Sequence, residues 1–271
     1  NGMGAVTLRP LIERLGLEVQ ELYAEPDADF PNHEANPAKP ETLKDLQQLV
    51  VNSGLDFGFA TDGDADRIGF VDNTGRILLG DQTLAILARK KAREEDHLIV
   101  TGTASIGWTL DKELEKLGAE RRTCKIGWSN VVTMMREEGS VLGGEVSNHF
   151  FYKETFYREA IDYTFLVVLG EYVRSGGEFE QMTQDLRAFH NSGEINLEVE
   201  DKEFVLQSLY DHYKEKATEY DDLDGHRFVF DNDWWFIIRP SNTEPILRLT
   251  VEATSEDVMK EKVAEIEEII G

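Results

Sequence analysis

Positive charge is scarce in this sequence, cysteine is nearly absent and long apolar runs are missing. Its 271 residues carry 28 Lys and Arg against 53 Asp and Glu, a formal net charge of −25. Such a balance argues against nonspecific binding to nucleic acid and against anionic membranes, and it obliges an anionic substrate to meet positive charge locally. The acidic residues are scattered over helix faces instead of forming a tail, which describes a strongly solvated surface. The lone cysteine, Cys124, has no partner for an intrachain disulfide. A reducing cytoplasm suits that usage and is the expected location, with Cys124 a small buried apolar residue. Mean hydropathy is −0.40, and apolar runs such as residues 165–169 are far too short to cross a bilayer. Prolines are few, and those among the Asp and Asn of residues 25–39 mark a long surface loop.

What is present is a run of alternating carboxylates, Asp62-Gly63-Asp64-Ala65-Asp66, closed by Arg67. Three acidic side chains on alternate residues turn inward together only if the backbone bends tightly, and Gly63 permits that bend. The result is an oxygen cage suited to a hard divalent cation, with Asp62, Asp64 and Asp66 as ligands. Residues 55–60 and 68–71 read as short buried strands, so the loop sits at a strand end, where open α/β sheets bind ligands. An EF-hand would need Gly at its sixth position and Glu at its twelfth; Arg67 and Asn73 stand there, and that reading fails. A solvated acidic turn is the plainer alternative. Against it stands Arg67, because a cation beside three anions suits a site that holds a metal and a phosphate together.

Along the chain, residues 8–15 have helical apolar spacing with Pro10 in the first turn and Gly16 as the stop. Residues 17–22 are expected as a strand. Pro40 opens a helix to about residue 51, the strand pair around the acidic loop follows with a turn at Asn73-Thr74-Gly75, and residues 84–91 close this unit as a helix. The second unit begins after the charged break 90–96: strand 97–100, helix 106–117 ended by Gly118 with Ser105 as its cap, strand 120–124, helix 130–136, a strand near Val141, and helix 163–173. Ser175-Gly176-Gly177 breaks that helix, and residues 179–189 form another. The third unit has strands at 195–199, 228–230, 234–238 and 246–253 and helices at 204–213 and 255–270, an antiparallel sheet with helices on one face. The fold class is therefore α/β, two tandem α/β domains with mixed sheets (1–94 and 95–191) followed by a smaller α+β domain with an antiparallel sheet (192–271).

A second cluster, Gly144-Glu145-Val146-Ser147-Asn148-His149, falls in the middle unit, and a third, Arg239-Pro240-Ser241-Asn242-Thr243-Glu244-Pro245, lies between two strands of the last. The third offers a guanidinium, two hydroxyls, an amide and backbone donors in one short turn, a combination that binds a phosphate dianion. Arg248 either adds a second guanidinium or faces solvent on its strand.

The three motifs, in this order, resemble those of the α-D-phosphohexomutases, the family of phosphoglucomutase, phosphomannomutase and phosphoglucosamine mutase, and the resemblance covers the whole chain. It implies a TATA-box-binding-protein-like C-terminal domain, Mg²⁺ on Asp62, Asp64 and Asp66, and Arg67 beside the transferring phosphate. Glu145 and Ser147 match residues that hydrogen-bond sugar hydroxyls, and Arg239, Ser241, Asn242 and Thr243 match the phosphate loop. His149 either contacts the sugar, assists proton transfer or is satisfied by its own loop. Lys125 matches a lysine near the active site of enzymes acting on mannose and glucose phosphates. The implied substrate is a phosphorylated hexose, moved between 1- and 6-phosphate forms through a phosphoserine and a bisphosphorylated intermediate.

Departures from the family pattern are equally specific. Trp128 replaces a histidine, Asn148 a glycine and Tyr163 the glycine that normally follows the aspartate matched by Asp162, to which no catalytic role is assigned. Thr103-Ala104-Ser105 does not qualify as the phosphoserine segment Thr-Ala-Ser-His-Asn-Pro, because Ile106-Gly107-Trp108 follows and because it lies after the metal loop. Asn1-Gly2-Met3-Gly4 resembles the turn after the first strand of the family's second domain. That strand and the phosphoserine domain are expected to be missing, which makes the N-terminal domain a partner and leaves this chain inactive by itself. Rival readings are a noncatalytic sugar-phosphate-binding protein, a phosphoglucosamine mutase, and a metal-dependent phosphatase with Asp62 as nucleophile.

Overall fold

The computed structural model describes residues 1–241 and 244–270. Helix α1 spans Gly4–Leu15, and Gly16, at φ +68°, closes it by donating its N–H to Glu13 O. Pro10 lies in the interior of this helix instead of its first turn, because the helix begins four residues before the apolar pattern does. Residues 17–22 are not a strand. They and the neighbouring strand β1 (Phe57–Thr61) line the same cavity of about 380 Å³, whose walls include Leu8, Ile12, Phe165 and Leu169. Without a ladder partner a strand-like pattern has nothing to pair with.

A 3₁₀ turn at Pro40–Leu43 leads into α2 (Lys44–Ser53). Strand β1 then pairs antiparallel with β2 (Ile68–Asp72), whose register Thr61↔Ile68 makes residues 62–67 the hairpin loop; β3 (Ile77–Leu78) completes a three-stranded antiparallel sheet. Helix α3 (Gly80–Lys91) was expected to close this first unit. It packs on the second instead, against α4 (Trp108–Leu117), α6 (Ile161–Arg174) and β6 (Leu142–Gly144), which explains why nearly all its residues are buried. One apolar core runs through both units.

The second sheet has the order β5-β4-β6-β7-β8, with β4 at Ile99–Thr103, β5 at Glu120–Cys124, β7 at Phe150–Tyr152 and β8 at Arg158–Glu159. Strands β5, β4 and β6 run parallel and the last two pairs antiparallel, a mixed sheet. Helix α5 (Trp128–Glu138) joins β5 to β6, and the segment expected as one helix over 179–189 is α7 (Phe179–Thr183) followed by a single 3₁₀ turn. Ser105 does not cap α4. Gly107 holds the cap position, and Ser105 Oγ lies 3.4 Å from Thr103 Oγ1.

The third sheet is antiparallel in the order β10-β14-β13-β12-β11, with β9 (His190–Asn191) on the far part of β14. Its strands are Ile195–Leu197, Leu247–Ala253, Trp234–Pro240, His226–Phe230 and Glu219–Asp221 respectively. Period-two alternation decides what each face meets. Trp234, Phe236 and Ile238 join the core beneath α8 (Lys202–Tyr213) and α9 (Glu256–Ile270), whereas Trp235, Ile237 and the neighbouring Val229 of β12 pack with Ala104 and Trp108 of the second unit.

Glu252 ties the two units together at this junction. It is 1% exposed and accepts the Trp108 backbone N–H at 2.7 Å, the Trp235 indole N–H at 2.8 Å and an Asn191 amide N–H at 3.1 Å. A carboxylate facing the N-terminus of α4 is favoured by the helix dipole. Burial nevertheless raises the Glu252 pKa, and its charge adds to the burial that pushes Asp81, at the start of α3, up to about 7. A second link is the Ile126 N–H donating to Asp224 at 2.9 Å.

Candidate active site

The acidic loop is built from backbone contacts as much as from charge. Asp62 is 2% exposed; one of its oxygens accepts the N–H groups of Asp66 and Arg67, both at 3.1 Å, and the other accepts Arg67 Nε at 2.8 Å. Ala65 takes φ +65°, a conformation most side chains avoid, so that residues 64–66 fold back over Asp62. The N-terminal turn lies directly beneath. Met3 N–H donates to Gly63 O at 3.0 Å, and a Cβ on Gly2 would come within 2.5 Å of Asp62 O.

This geometry brings oxygens of Asp62, Asp64 and Asp66 within 4.8 Å of one another. Burial works to raise the Asp62 pKa, but hydrogen bonds from Arg67 outweigh it and hold the carboxylate below its usual range. Asp66 is pushed up to about 6 by burial, with Asp62 and Asp64 adding to the rise and His149 opposing it. Three carboxylates this close repel one another until a cation arrives, and Asp66 Oδ1 is shielded from solvent without a hydrogen-bond partner. The donor set therefore fits a hard divalent ion.

The loop after β6 meets the acidic loop directly. Ile68 N–H donates to Asn148 O at 3.4 Å, Arg67 and His149 form an antiparallel bridge, and the Asn148 amide reaches Pro37 O at 3.3 Å. Asn148 takes the position expected to strain a non-glycine residue, φ +71°, and does so with its side chain buried. Glu145 N–H donates to His149 O at 3.0 Å, and one Glu145 oxygen accepts the Ser147 hydroxyl at 3.1 Å while the other, buried, has no partner. The start of α3 presses on this loop from behind: a Cβ on Gly80 would lie 2.6 Å from Val146 O and 2.7 Å from Glu145 O.

His149 Nδ1 faces Glu159 at 3.4 Å and Asp66 at 3.8 Å. Burial alone would lower its pKa, but Glu159, Glu145 and Asp66 together raise it. Lys125 is exposed and follows the last residue of β5; the register Thr103↔Cys124 and Gly102↔Gly144 puts it on the same carboxyl edge of the sheet as Glu145. It makes no hydrogen bond or ion pair among the described residues.

Arg239, 4% exposed, and Arg248 lie opposite each other on β13 and β14, and both pair with Glu194, at 3.2 and 3.1 Å. Ser241 follows β13, its N–H donating to Ile246 O at 2.9 Å and its hydroxyl accepting the Glu244 N–H at 3.3 Å. Asn242 and Thr243 lie outside the described residues. The structure thus joins Asp62, Asp64, Asp66, Arg67, Glu145, Ser147 and His149 into one cluster. Arg239, Ser241 and Arg248 belong to the third unit, and among the described residues no hydrogen bond or ion pair links the two arginines to that cluster.

Three polar residues that no sequence motif marks complete these contacts: Asn36, whose side chain accepts Arg67 Nη1 at 3.0 Å, Glu159 beside His149, and Glu194 between the two arginines. Asn36-Pro37 carried the only local signal, a turn-forming pair inside the polar loop.

Comparison with known proteins matches the chain in three consecutive blocks. Residues 1–75, 79–189 and 194–269 fit the phosphoglucomutase/phosphomannomutase descriptions "alpha/beta/alpha domain II", "alpha/beta/alpha domain III" and "C-terminal domain". The chain belongs to the phosphoglucomutase/phosphomannomutase family. A phosphomannomutase of Methanocaldococcus jannaschii is 31% identical over 271 residues, covering 100% of this chain and 60% of the relative. A probable phosphoglucosamine mutase of Methanopyrus kandleri is likewise 31% identical over 271 residues, with the same shares. A crystal structure of a phosphoglucomutase/phosphomannomutase family protein from Burkholderia thailandensis superposes with a TM-score of 0.88 at 28% identity, covering 99% of this chain and 58% of that one. The chain thus spans about 60% of the length of these relatives. Among the described residues no helix is long and apolar enough to cross a membrane.

Proposed function

We propose that the chain supplies the metal-binding, sugar-recognition and phosphate-binding parts of a phosphohexomutase that interconverts the 1- and 6-phosphates of glucose or mannose through a phosphoserine and a bisphosphorylated sugar. The observation that carries this reading is the direct junction of the two loops, with Asp66 and His149 only 3.8 Å apart where the Arg67–His149 bridge ties the strands together. Asp62, Asp64 and Asp66 would hold Mg²⁺, which when bound offsets the negative charge on a phosphoryl group being transferred. Arg67 sits beside that group with its guanidinium already oriented by Asp62 and Asn36. Glu145 and Ser147 receive and orient two sugar hydroxyls, and the unpartnered Glu145 oxygen is free to accept one. Arg239, Ser241, Asn242, Thr243 and Arg248 grip the phosphate that does not react, with Glu194 giving way to it. Lys125 and His149 complete the set, His149 as a donor to sugar oxygen.

The family's phosphoserine segment is not among the 271 residues. The chain alone is therefore expected to bind hexose phosphate in the presence of Mg²⁺ without turning it over, and the phosphoserine domain is its partner. Calorimetry with glucose 6-phosphate and mannose 6-phosphate, with and without Mg²⁺, tests the binding, and a coupled mutase assay tests the turnover. Metal-dependent binding lost in Glu145→Gln supports the reading; no binding of either sugar, or turnover by this chain alone, contradicts it. The Methanopyrus relative's name makes glucosamine phosphate the alternative sugar.

A further inference from the structure

A different set of donor atoms lies beside the acidic triad. Asp66, His149 and Glu159 each offer one ligand atom, and the three atoms lie within 4.8 Å of one another. We propose that they form a second divalent-cation site, suited to ions that accept imidazole such as Zn²⁺, and that it shares Asp66 with the Asp62/Asp64/Asp66 triad so that filling one site withdraws a ligand from the other.

The spacing argues for an ion between these groups. With bonds of about 2.0–2.1 Å, adjacent ligand atoms of a tetrahedral Zn²⁺ stand roughly 3.3 Å apart. His149 Nδ1 lies 3.4 Å from Glu159 and 3.8 Å from Asp66. An imidazolium hydrogen-bonded to a carboxylate would close to about 2.7–2.9 Å. Instead His149 Nδ1 and Asp66 Oδ1 are both shielded from solvent and meet no partner in good hydrogen-bonding geometry, the carboxylates of Glu159 and Asp66 standing around the imidazole nitrogen at ion-pair distance, 3.4 and 3.8 Å. Glu145 supplies further negative charge. It is 7% exposed, its Oε1 is also unpartnered, and its charge acts on the His149 imidazole together with those of Asp66 and Glu159.

The scaffold is rigid where precision is needed. Glu159 on β8 stands directly opposite Phe151 of β7, and His149 precedes Phe151 by two residues, so all three share one face of the hairpin. The Phe151 ring stacks on the imidazole with centroids 6.1 Å apart and planes 23° from parallel. Asp66 is brought in by the Arg67–His149 bridge. One nitrogen and two oxygens suit a borderline ion better than Mg²⁺, which prefers oxygen ligands alone. Three protein ligands also leave a position open beside the sugar-recognition loop.

The chain stripped of metal is titrated with Co²⁺, whose visible spectrum reports four-coordination, and with Zn²⁺ by calorimetry. The proposal expects one Zn²⁺ site whose affinity falls more than about tenfold in Glu159→Gln and in His149→Ala. It also expects the four-coordinate Co²⁺ bands to vanish in both variants, Zn²⁺ binding to persist in Asp62→Asn, and added Mg²⁺ to weaken Zn²⁺ binding through Asp66. Circular dichroism of metal-free Glu159→Gln matching the parent establishes that loss of binding is not loss of fold. Zn²⁺ affinity unchanged in Glu159→Gln, or abolished by Asp62→Asn alone, overturns the proposal by placing the ion in the acidic triad or elsewhere. Failure of Mg²⁺ to bind through Asp62 would count against the proposed function and leave this site intact.

Discussion

Asp81 offers the sharpest test of how the three units are held together. It is 2% exposed in the first turn of α3; one oxygen accepts the Gln82 N–H at 2.8 Å, and the other is shielded without a partner. Burial first, and the charge of Glu252 second, push its pKa from 3.8 up to about 7. Because the native state holds this proton more tightly than the unfolded chain does, the group costs nothing below about pH 4. The cost grows by about 1.4 kcal/mol per pH unit as pH rises and is complete above pH 7. Over roughly three pH units the ceiling is on the order of 4 kcal/mol, shared between Asp81 and Glu252 as one coupled pair. Asp81→Asn keeps the acceptor for Gln82 and carries no charge at any pH. It gives up a favourable carboxylate at a helix N-terminus, worth about 0.3–1 kcal/mol. The variant should therefore be more stable than the parent by roughly 2–3 kcal/mol at pH 8 and should lose that advantage as pH falls towards 4. Urea denaturation of both proteins at several values between pH 4.5 and 8 measures the difference directly. A difference that stays constant across that range, or a variant less stable at pH 8, would mean that the Asp81 carboxylate is not destabilised by burial.

Three more expectations follow from contacts near the site. Gly80→Ala places a methyl against the carbonyls of Glu145 and Val146; overpacking should cost about 1–3 kcal/mol in thermal unfolding and weaken the proposed hexose phosphate binding, and unchanged affinity would detach α3 from the Glu145 loop. Glu194→Gln removes the anion between Arg239 and Arg248, so inorganic phosphate should bind several-fold tighter by calorimetry, whereas weaker binding would make Glu194 a support for the arginines instead of a competitor. Cys124 is 3% exposed, and burial, with help from Glu145, pushes its thiol up to about 12. A disulfide reagent should label it only in denaturant, and rapid labelling of the native chain would contradict its placement.

The acidic loop was legible because its composition leaves few alternatives: three carboxylates with Gly and Ala between them need a tight turn, and the apolar runs on both sides supply the hairpin that holds it. The continuous run Trp234-Trp235-Phe236-Ile237-Ile238 likewise announced a strand, though not that its two faces serve different units. What the sequence hid depends on neighbours distant along the chain. Residues 17–22 look like a strand, but pattern alone cannot supply a ladder partner. Helix α3 was legible as a helix, while its allegiance to the second sheet rests on contacts with α4 and α6 that no local periodicity records. Ser105 resembled a cap, yet Glu252, 144 residues away from Trp108, provides the acceptor there. Glu159 and Glu194 sit among many surface acids in a chain with 53 of them, so only coordinates single them out.

The acidic loop, the Glu145 loop and the Ser241 loop are proposed to serve one bound ligand. A crystal of this chain grown with Mn²⁺ and glucose 6-phosphate, measured at the manganese absorption edge, tests it most directly. Anomalous density is expected between Asp62, Asp64 and Asp66, with the sugar hydroxyls on Glu145 and Ser147 and the phosphate on Arg239 and Ser241. Manganese elsewhere, or a phosphosugar that touches one loop while the others face away, would contradict it.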